Sequence, residues 1–301
     1  MPFTGVMPAI KPEIASFGLL SVADVTEHPE RDSHWVNGFD FETEACNFNA
    51  SIMKICAPGE PDLELFDSSD TPSYYPVKPF AIKVEDVCLT PGWDVHDRKA
   101  MVLRKLKLVT QKALEMELWS GFATSVSNPD EGRWLASDTV TKIASSGTMS
   151  LNLAFALLEK ALGDSGVGGQ GVIHVPRDVA TLLDTHVQPE GDVLKSKNNG
   201  NLVVSGVGYS GSAPGELDRS DTDPTKVWIY ATGPIVVHLG APELLTPAMD
   251  AAINLRNNEV TWVAARPAGV YWDGCSHFGV EVDLTTGGTS VGNASFGSGP
   301  N

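Results

Sequence analysis

A glycine-rich pattern near the middle of the chain has the spacing of a nucleotide-phosphate site. The residues Gly166-Val-Gly168-Gly-Gln-Gly171 match G-x-G-x-x-G. Such a site requires a strand, a tight turn and then a helix, so that the amides at the helix start point at the phosphates. Here the pattern follows a predicted helix and enters a predicted strand, which is the reverse order. The sequence therefore predicts a flexible turn between two structural units and no cofactor.

A second pattern, Gly163-Asp164-Ser165-Gly166, is similar to the sequence around the nucleophile of chymotrypsin-like serine proteases. The glycine that should come next is Val167 in this chain, and no matching histidine motif precedes it. Because serine catalysis also needs an oriented base and a buried acid, the end of a helix followed by a turn explains these residues better.

Two groups of acidic residues have the types, but not the spacing, of metal ligands. The cluster Asp94, His96 and Asp97 lacks the further histidines and the distant aspartate of HD-type phosphohydrolases, and it is better explained as the start of a helix. Asp218, Asp221 and Asp223 lack the glycine and final glutamate of a calcium-binding loop. No nucleotide, zinc or hydrolase motif occurs elsewhere. We therefore predict no catalytic residue and no bound metal.

Composition restricts the remaining functions. The chain has 301 residues and a formal net charge of -17, which argues against a protein whose main task is to bind nucleic acid. The same charge is compatible with a surface that lies beside DNA without adhering to it. The four cysteines are expected to be free thiols, and no apolar run is long enough to cross a bilayer. They are Cys46, Cys56, Cys88 and Cys275.

The element predicted most firmly is one long helix over residues 94–120. This segment contains neither glycine nor proline, Asp94 suits the N-cap, and Gly121 suits the C-terminal cap. At 1.5 Å per residue the helix would be about 40 Å long. An apolar stripe at three- and four-residue steps predicts its buried face. The stripe consists of Val102, Leu106, Val109, Ala113 and Met116.

The same helix carries a concentration of basic residues, and within the span 97–112 they are opposed only by Asp97. Two interpretations remain open: a solvated helix face, or a surface that faces packaged DNA or the acidic arm of another subunit. We call these residues the basic strip. They are Arg98, Lys99, Arg104, Lys105, Lys107 and Lys112.

The segments around this helix predict a mixed α+β chain. Residues 1–45 contain several prolines and little regular period, so this arm should be disordered or lie on a partner. Before the helix, Phe48–Cys56 and Val77–Leu89 are predicted strands of a long hairpin. After it we expect a β-rich stretch at Arg133–Ile143, a helix at Met149–Leu162, a strand at Gly171–Val175, a short helix at Arg177–His186, buried strands at 201–207 and 226–239, and β structure from Glu259 onward. The loop 208–225 should be exposed and acidic, and a helix over 243–256 is only weakly indicated.

This order of elements resembles the Hong Kong 97-type major capsid protein of tailed, double-stranded-DNA bacteriophages, most of all those of phages that infect actinobacteria. Short segments resemble that family as well. They are Trp35-Val-Asn-Gly-Phe39, Val172-Ile-His-Val-Pro176, Trp228-Ile-Tyr-Ala-Thr-Gly-Pro-Ile-Val-Val237, and Asn258-Glu-Val-Thr-Trp-Val-Ala-Ala-Arg266 followed by Pro-Ala-Gly-Val270.

The resemblance implies a set of named parts along the chain. They are an N-terminal arm (1–47), an E-loop hairpin (48–93), the spine helix with the first part of the P-domain (94–165), an A-domain (166–256), returning P-domain strands (257–285) and a Gly/Ser-rich C-terminal tail (286–301).

It also implies a structural subunit, not an enzyme, that self-assembles through pentamers and hexamers into an icosahedral head. That head would form in the bacterial cytoplasm, enclose double-stranded DNA by non-specific proximity, and involve a portal and, since Met1 leads directly into the arm, either a separate scaffolding protein or none. No membrane is involved.

The type member of the family joins an E-loop lysine to a P-domain asparagine. Lys54, Lys78 and Lys83 are the lysines available at inter-subunit contacts here, but we expect no cross-link. Two alternative functions remain: an encapsulin-type nanocompartment shell with the same fold, and a soluble hydrolase or binding protein built on the α/β middle region.

Overall fold

A computed structural model of the chain describes residues 15–29, 35, 38–43, 73–89, 95–123, 134–143, 147–165, 170–219, 223–246, 253–254, 259–272 and 276–285. These residues form mixed α and β structure in which two sheets each carry one long helix. No helix among them is both long and apolar enough to cross a membrane.

The described helices and strands are as follows. A 3₁₀ turn at Leu19–Ser21 precedes the first strand, and the α-helices are α1 (Val95–Ser120), α2 (Leu151–Asp164) and α3 (Arg177–Ala180). The strands are β1 (Asp24–Glu27), β2 (Phe39–Thr43), β3 (Ser73–Val77), β4 (Phe80–Leu89), β5 (Thr141–Lys142), β6 (Met149–Ser150), β7 (Val172–Pro176), β8 (Val187–Glu190), β9 (Val193–Ser196), β10 (Leu202–Gly206), β11 (Lys226–Thr232), β12 (Ile235–Leu239), β13 (Glu243–Leu244), β14 (Ile253–Asn254), β15 (Glu259–Trp272) and β16 (His277–Asp283).

The first sheet is organised around β15, the longest strand. Along one edge β15 pairs with β4, and along the other it pairs in turn with β14, β13 and β12, all antiparallel. The outermost strand, β1, is parallel to β12. Helix α1 packs on this sheet, and its buried Val102, Leu106 and Leu114 share one core with Trp262 of β15.

The second sheet has the order β5-β16-β11-β7-β10-β9-β8, with β6 also paired to β16. Helix α2 covers it, and Leu151, Phe155 and Leu158 pack against Ile173 and Val280. Alternate residues of β16 lie in this core, as the period of two predicts for a half-buried strand. The predicted domain boundaries stay predictions, and they do not coincide with the two sheets. Helix α2 falls in the predicted segment 94–165 but lies on the second sheet, and β12–β14 fall in the predicted segment 166–256 but belong to the first sheet.

The predicted long helix is confirmed within a residue of its expected ends. Gly121 adopts a φ of 61°, and its N–H donates to the carbonyl of Glu117 at 2.7 Å, which is the expected C-terminal cap. Asp94 lies outside the described residues. The predicted stripe is wrong in its second half: Val102 and Leu106 are buried, whereas Val109 and Met116 are exposed. The buried face continues instead through Leu114, Leu118 and Trp119.

The N-terminal arm is not wholly outside the fold, which corrects the prediction for part of it. The Leu19 side chain is fully buried in the first core, and β1 completes the first sheet. The segment 15–29 therefore belongs to the subunit's own core. Within this segment the chain forms a single 3₁₀ turn at Leu19–Ser21 and then the strand β1.

The hairpin before α1 uses different strands from those predicted. The segment Val77–Leu89 is divided at Lys78 and Pro79, and β3 pairs antiparallel with β2, with Phe39 opposite Val77 and Thr43 opposite Ser73. Strand β4 pairs instead with β15. The predicted strand Phe48–Cys56 lies outside the described residues. The base of the hairpin thus begins before residue 48, within the segment predicted to be arm.

The predictions after α1 are confirmed in part. The helix at Met149–Leu162 and the strands at 171–175, 201–207 and 259 onward are present. The stretch Arg133–Ile143 is mostly turns, with only β5 as strand, and no helix occurs in the described part of 243–256. The short helix at Arg177 ends at Ala180. The predicted exposed loop 208–225 is buried at Tyr209, Gly211 and Ser212 and is exposed at residues 215–218.

Candidate assembly surfaces

One carboxylate on β4 holds two residues of the basic strip against the sheet. The Asp86 side chain is 7% exposed; Arg98 Nη1 donates to its Oδ2 at 3.1 Å, and Lys105 Nζ pairs with its Oδ1. Burial alone would raise the pKa of Asp86, but the hydrogen bonds and charges of Lys105 and Arg98 outweigh it and leave that pKa below its ordinary value. These two cations therefore anchor α1 to β4.

The basic strip is divided by these contacts. Lys99 lies over the ring of Trp262 on β15, with Nζ 5.0 Å from the ring centre, which is a cation–π contact. Arg104, Lys107 and Lys112 are exposed, and within the described part of the chain their side chains form no ion pair. Three members of the strip therefore position the helix, and only the other three offer charge to a partner.

We expect Asp86→Asn to lower the free energy of unfolding by about 1–3 kcal/mol, because the variant removes the charge that faces Arg98 in a mostly buried setting. Most of the loss should come from Arg98, since Lys105 is the more exposed partner. Urea denaturation measures it. Glu85→Gln on the same strand, where the carboxylate is exposed, is the matched control, and equal losses in the two variants would contradict this assignment.

A buried carboxylate on α1 holds two distant segments of backbone. Glu115 accepts a hydrogen bond from the Leu19 N–H at 3.0 Å and another from the Gly208 N–H at 2.8 Å. One turn earlier, Gln111 Nε2 donates to the carbonyl of Ala15 at 3.1 Å. Burial raises the pKa of Glu115, and these hydrogen bonds offset part of that rise. The side of α1 opposite β4 thus fixes the N-terminal segment.

The close approach of Gly208 to α1 explains the residue type there. A Cβ at Gly208 would lie 2.5 Å from the backbone carbonyl oxygen of Lys112. Backbone on a helix cannot move aside as a flexible side chain can, so only glycine brings its N–H within reach of Glu115.

A buried polar network lies next to this contact and joins α1 to the second sheet. His174 Nδ1 is 2.8 Å from the Tyr209 hydroxyl, and His174 Nε2 is 3.0 Å from Thr232 Oγ1. The Thr232 hydroxyl donates to the Gly233 carbonyl, so it must accept from His174, which sets the neutral Nε2–H form. Burial lowers the pKa of His174 to about 3.

The loop after β10 is fixed to the same region by two further hydrogen bonds. Trp119 Nε1 donates to Ser212 Oγ at 3.0 Å, and the Tyr230 hydroxyl donates to the Ser212 carbonyl at 3.0 Å. Burial, with a smaller contribution from the Glu115 charge, raises the pKa of Tyr209. Glu115, Tyr209 and Ser212 thus belong to one connected region. This region holds together α1, the N-terminal segment and the second sheet.

An apolar groove of about 590 Å³ lies between α1 and β4. Val109, Ala113 and Met116 of α1 line one side, and Phe122, just beyond the helix, is 60% exposed. The consecutive residues Phe80–Glu85 of β4 line the other side. The half of the predicted stripe that is not in the core therefore forms a surface of its own.

The lysines predicted at inter-subunit contacts are only partly described. Lys83 is exposed, pairs with Glu85 and lines the groove; Lys78 is exposed at the turn between β3 and β4. Lys54 lies outside the described residues. The structure does not test a contact of any of the three with another subunit, so their role stays a prediction.

No catalytic or metal-binding centre is found in the part of the chain that the structure describes. No group of three or more potential ligands is present there. Ser165 follows the last residue of α2, and its hydroxyl donates to the Leu162 carbonyl. Asp223 pairs with Lys226 and accepts from Thr225, which holds the pKa of Asp223 below its ordinary value. Gly166, Asp94, Asp221 and the side chains of His96 and Asp97 lie outside the described residues.

The most important positioning residues were missed by sequence reasoning. Asp86, Glu115 and His174 are polar residues buried in otherwise apolar surroundings. The sequence contains a weak signal for Glu115 and Gln111. The helical period places both residues on the side of α1 that faces away from the predicted apolar stripe. Their partners are about 95 residues away along the chain, so spacing alone does not indicate them.

Comparison with known proteins gives a clear result for structure. No family model and no curated protein matches the sequence. The capsid of the native GTA particle has 11% identity and a TM-score of 0.53, with 94% of this chain and 95% of that chain covered. A Mycobacterium phage Ogopogo structure has 13% identity, a TM-score of 0.50, and 94% and 97% coverage. The holo-SrpI encapsulin complex from Synechococcus elongatus has 10% identity, a TM-score of 0.53, and 95% coverage of both chains.

The chain has the Hong Kong 97-type capsid fold. The predicted α+β fold class is confirmed by alignments that cover nearly the whole of both chains. Helix α1 has the length and the place in the order of elements predicted for the spine helix. The assignment of β2 and β3 to the base of the E-loop hairpin and of residues 15–29 to the N-terminal arm stays a prediction. Identities this low establish the fold alone.

Proposed function

We propose that this chain is a structural major capsid protein that self-assembles into the icosahedral head of a tailed, double-stranded-DNA phage. The observation that carries the proposal is the match of almost the entire chain to a GTA capsid subunit. The sequence segments that resemble capsid proteins of actinobacterial phages favour a host of that kind. The role is structural, in the virion, and requires no cofactor.

The partners in this proposal are first of all other copies of the chain, arranged as pentamers and hexamers. A portal and a separate scaffolding protein would take part in assembly in the host cytoplasm. The groove beside α1 supports such an assembly, because an isolated subunit would leave its apolar lining exposed to water.

Expression of the full chain in a bacterium tests the proposal directly. Size-exclusion chromatography and negative-stain microscopy should show megadalton, closed particles. A monomer or small oligomer of normal solubility that binds a ligand in its α/β region would overturn it and favour the soluble hydrolase or binding protein instead.

The second candidate is an encapsulin-type shell, favoured by the equal similarity to the SrpI encapsulin complex. The contents of particles purified from the native source separate the two. Packaged DNA supports the phage head, whereas an enclosed protein without DNA supports the nanocompartment.

We expect the free members of the basic strip to reduce repulsion between the shell and packaged DNA, since the chain as a whole carries a charge of -17. Replacing Arg104, Lys107 and Lys112 together by glutamine should leave folding unchanged and lower the packaged DNA per particle severalfold, with an effect that weakens as salt rises. The ratio of absorbance at the nucleic-acid and protein maxima measures it.

The matched control replaces Lys160 of α2, Lys195 of β9 and Lys197, which follows β9, by glutamine; all three lie outside the basic strip. Equal DNA content in the two triple variants would show that the free cations of α1 face neither DNA nor a partner that governs packaging.

A further inference from the structure

A second cavity, of about 370 Å³, lies beside α2 and is separate from the groove along α1. Helix α2 contributes Phe155, Glu159 and Lys160 to its lining. His186, just before β8, and Asn199, in the turn after β9, also line it. The cavity therefore combines aromatic, charged and amide side chains within one subunit.

Glu159 is a buried carboxylate whose charge meets no cation. Its side chain belongs to a residue that is 8% exposed, and its Oε2 accepts hydrogen bonds from the Nδ2 atoms of Asn199 and Asn201, each at 2.7 Å. Among the described residues, Oε1 accepts no hydrogen bond. Lys160, the next residue, pairs instead with Asp164. Because a buried charge is normally paired, two neutral amides leave Glu159 short of a partner.

Aromatic rings form another part of the same lining. The rings of Phe155 and His186 are stacked, with centroids 5.6 Å apart and an angle of 29° between their planes. His186 Nε2 is 2.9 Å from Asn152 Oδ1, so this nitrogen donates to the amide oxygen and the ring is held in place. A carboxylate next to aromatic side chains is a lining that favours an organic cation, since both attract positive charge.

The size of the cavity and the kinds of atoms around it exclude other ligand classes. A volume of about 370 Å³ equals roughly twelve water molecules at about 30 Å³ each, which is far more than a bare metal ion fills. Within the described part of the chain no group of three or more metal ligands is present. A neutral or anionic ligand would leave the charge of Glu159 unmatched.

The turn after β9 gives a cation a way to reach the carboxylate. Asn199 is exposed on this turn, and its amide is a neutral donor to Glu159. A hydrogen bond from a charged donor is roughly twice as strong as one from a neutral donor. A cation in the cavity can therefore displace the Asn199 amide from the carboxylate.

We propose that this cavity binds an alkylammonium or alkylguanidinium group, paired with the carboxylate of Glu159 and lying against Phe155 and His186. The group belongs either to a free small cation or to a lysine or arginine side chain of another chain, which present the same chemistry. The inference does not depend on the proposed function, because every residue of the site lies in one subunit.

Calorimetric titration of the full chain with propylguanidinium tests the site, with propylurea as the uncharged probe of similar shape. The cation should bind at least about tenfold more tightly than the urea. Glu159→Gln should remove this difference, because the glutamine oxygen still accepts from Asn199 and Asn201 but carries no charge. Glu190→Gln, at an exposed carboxylate of β8 outside the cavity, is the matched control and should bind like the wild type.

Equal affinity of the wild type for the two probes would overturn the inference, and so would unchanged binding of the cation by Glu159→Gln. If calcium or magnesium binds at Glu159 and propylguanidinium does not, the ligand class is wrong.

A variant at an exposed position keeps the test valid if Glu159→Gln folds poorly. Asn199→Lys places an ammonium group on the chain itself beside Glu159, so it should weaken propylguanidinium binding by about tenfold or more. Gln188→Lys is the matched control, because Gln188 is an exposed neutral residue of β8 outside the cavity. Equal affinity of these two variants for the cation would contradict the site.

A comparison of closed particles with the unassembled chain separates the two sources of the cation. A side chain from another chain would compete with the probe, so particles should bind propylguanidinium at least about tenfold more weakly than the unassembled chain. Equal binding by both forms assigns the site to a free small cation. Binding by neither form overturns the inference and leaves the proposed function untouched.

Discussion

Replacing Glu115 by alanine should lower the free energy of unfolding by roughly 2–4 kcal/mol. The change leaves the N–H groups of Leu19 and Gly208 buried without an acceptor, and each such group costs about 1–3 kcal/mol. It also removes one of the contacts between the N-terminal segment and α1, while the bond from Gln111 to Ala15 remains. Urea denaturation of the unassembled chain measures the loss, and hydrogen exchange at Leu19 and Gly208 should become faster before any global unfolding.

Two further variants make this test specific. Glu115→Gln keeps the volume but presents an amide nitrogen to one of the two donors, so its loss should be intermediate. Glu216→Ala removes an exposed carboxylate from the loop after β10 and should leave the unfolding free energy almost unchanged. Equal stability of the Glu115→Ala and Glu216→Ala variants would show that the contact to residues 15–23 contributes nothing.

The free energy of unfolding should fall as the pH decreases below about 6.5, because of His174. The unfolded chain binds a proton at this imidazole near pH 6.5, whereas burial keeps the folded form neutral down to about pH 3. The unfolded state therefore binds more protons throughout this window, and stability is lost as pH falls. The slope is about 1.4 kcal/mol per pH unit, which sums to roughly 5 kcal/mol between pH 6.5 and pH 3.

His174→Gln should make this dependence shallower, because an amide can still bond with Tyr209 and Thr232 but does not titrate. Denaturation curves at several pH values between 4.5 and 7 measure the difference between the variant and the wild type. The control is His186→Gln, at a partly exposed histidine that bonds with Asn152. If the curves of all three proteins run parallel, His174 does not supply the acid sensitivity.

The sequence predicted the elements whose cause is local. The long helix α1 follows from an uninterrupted run without glycine or proline and from a glycine at its end, and β16 follows from the alternation of its apolar residues. The sequence predicted the buried face of the long helix only in part. The period of 3.6 residues places apolar side chains on one side of a helix, but it does not show which of them meet the core and which line a groove. Val109 and Met116 continue the stripe and yet face the groove.

The contacts that the sequence did not predict join residues far apart in the chain. Asp86 divides the basic strip only because β4 pairs with β15 and thereby lies beside α1. The sequence of the N-terminal segment predicts an arm because it contains few residues that could form a core of its own. The segment is held in place by the hydrogen bond from Leu19 to Glu115 and by the pairing of β1 with β12. Each of these depends on the completed fold and leaves no periodic trace in the sequence.

The turn at Gly233-Pro234 divides a buried stretch into β11 and β12, which belong to different sheets. Strand β11 pairs with β16 and strand β12 pairs with β15. The two pairs meet beside this turn, where Thr232 is opposite His277 and Ile235 is opposite Trp272. The four strands thus make one bent, two-stranded ribbon that passes through both sheets. A pull along this ribbon strains its hydrogen bonds together, in shear, whereas a pull across it would open them one at a time. In the shell proposed above, tension along this ribbon would meet the first, stiffer response.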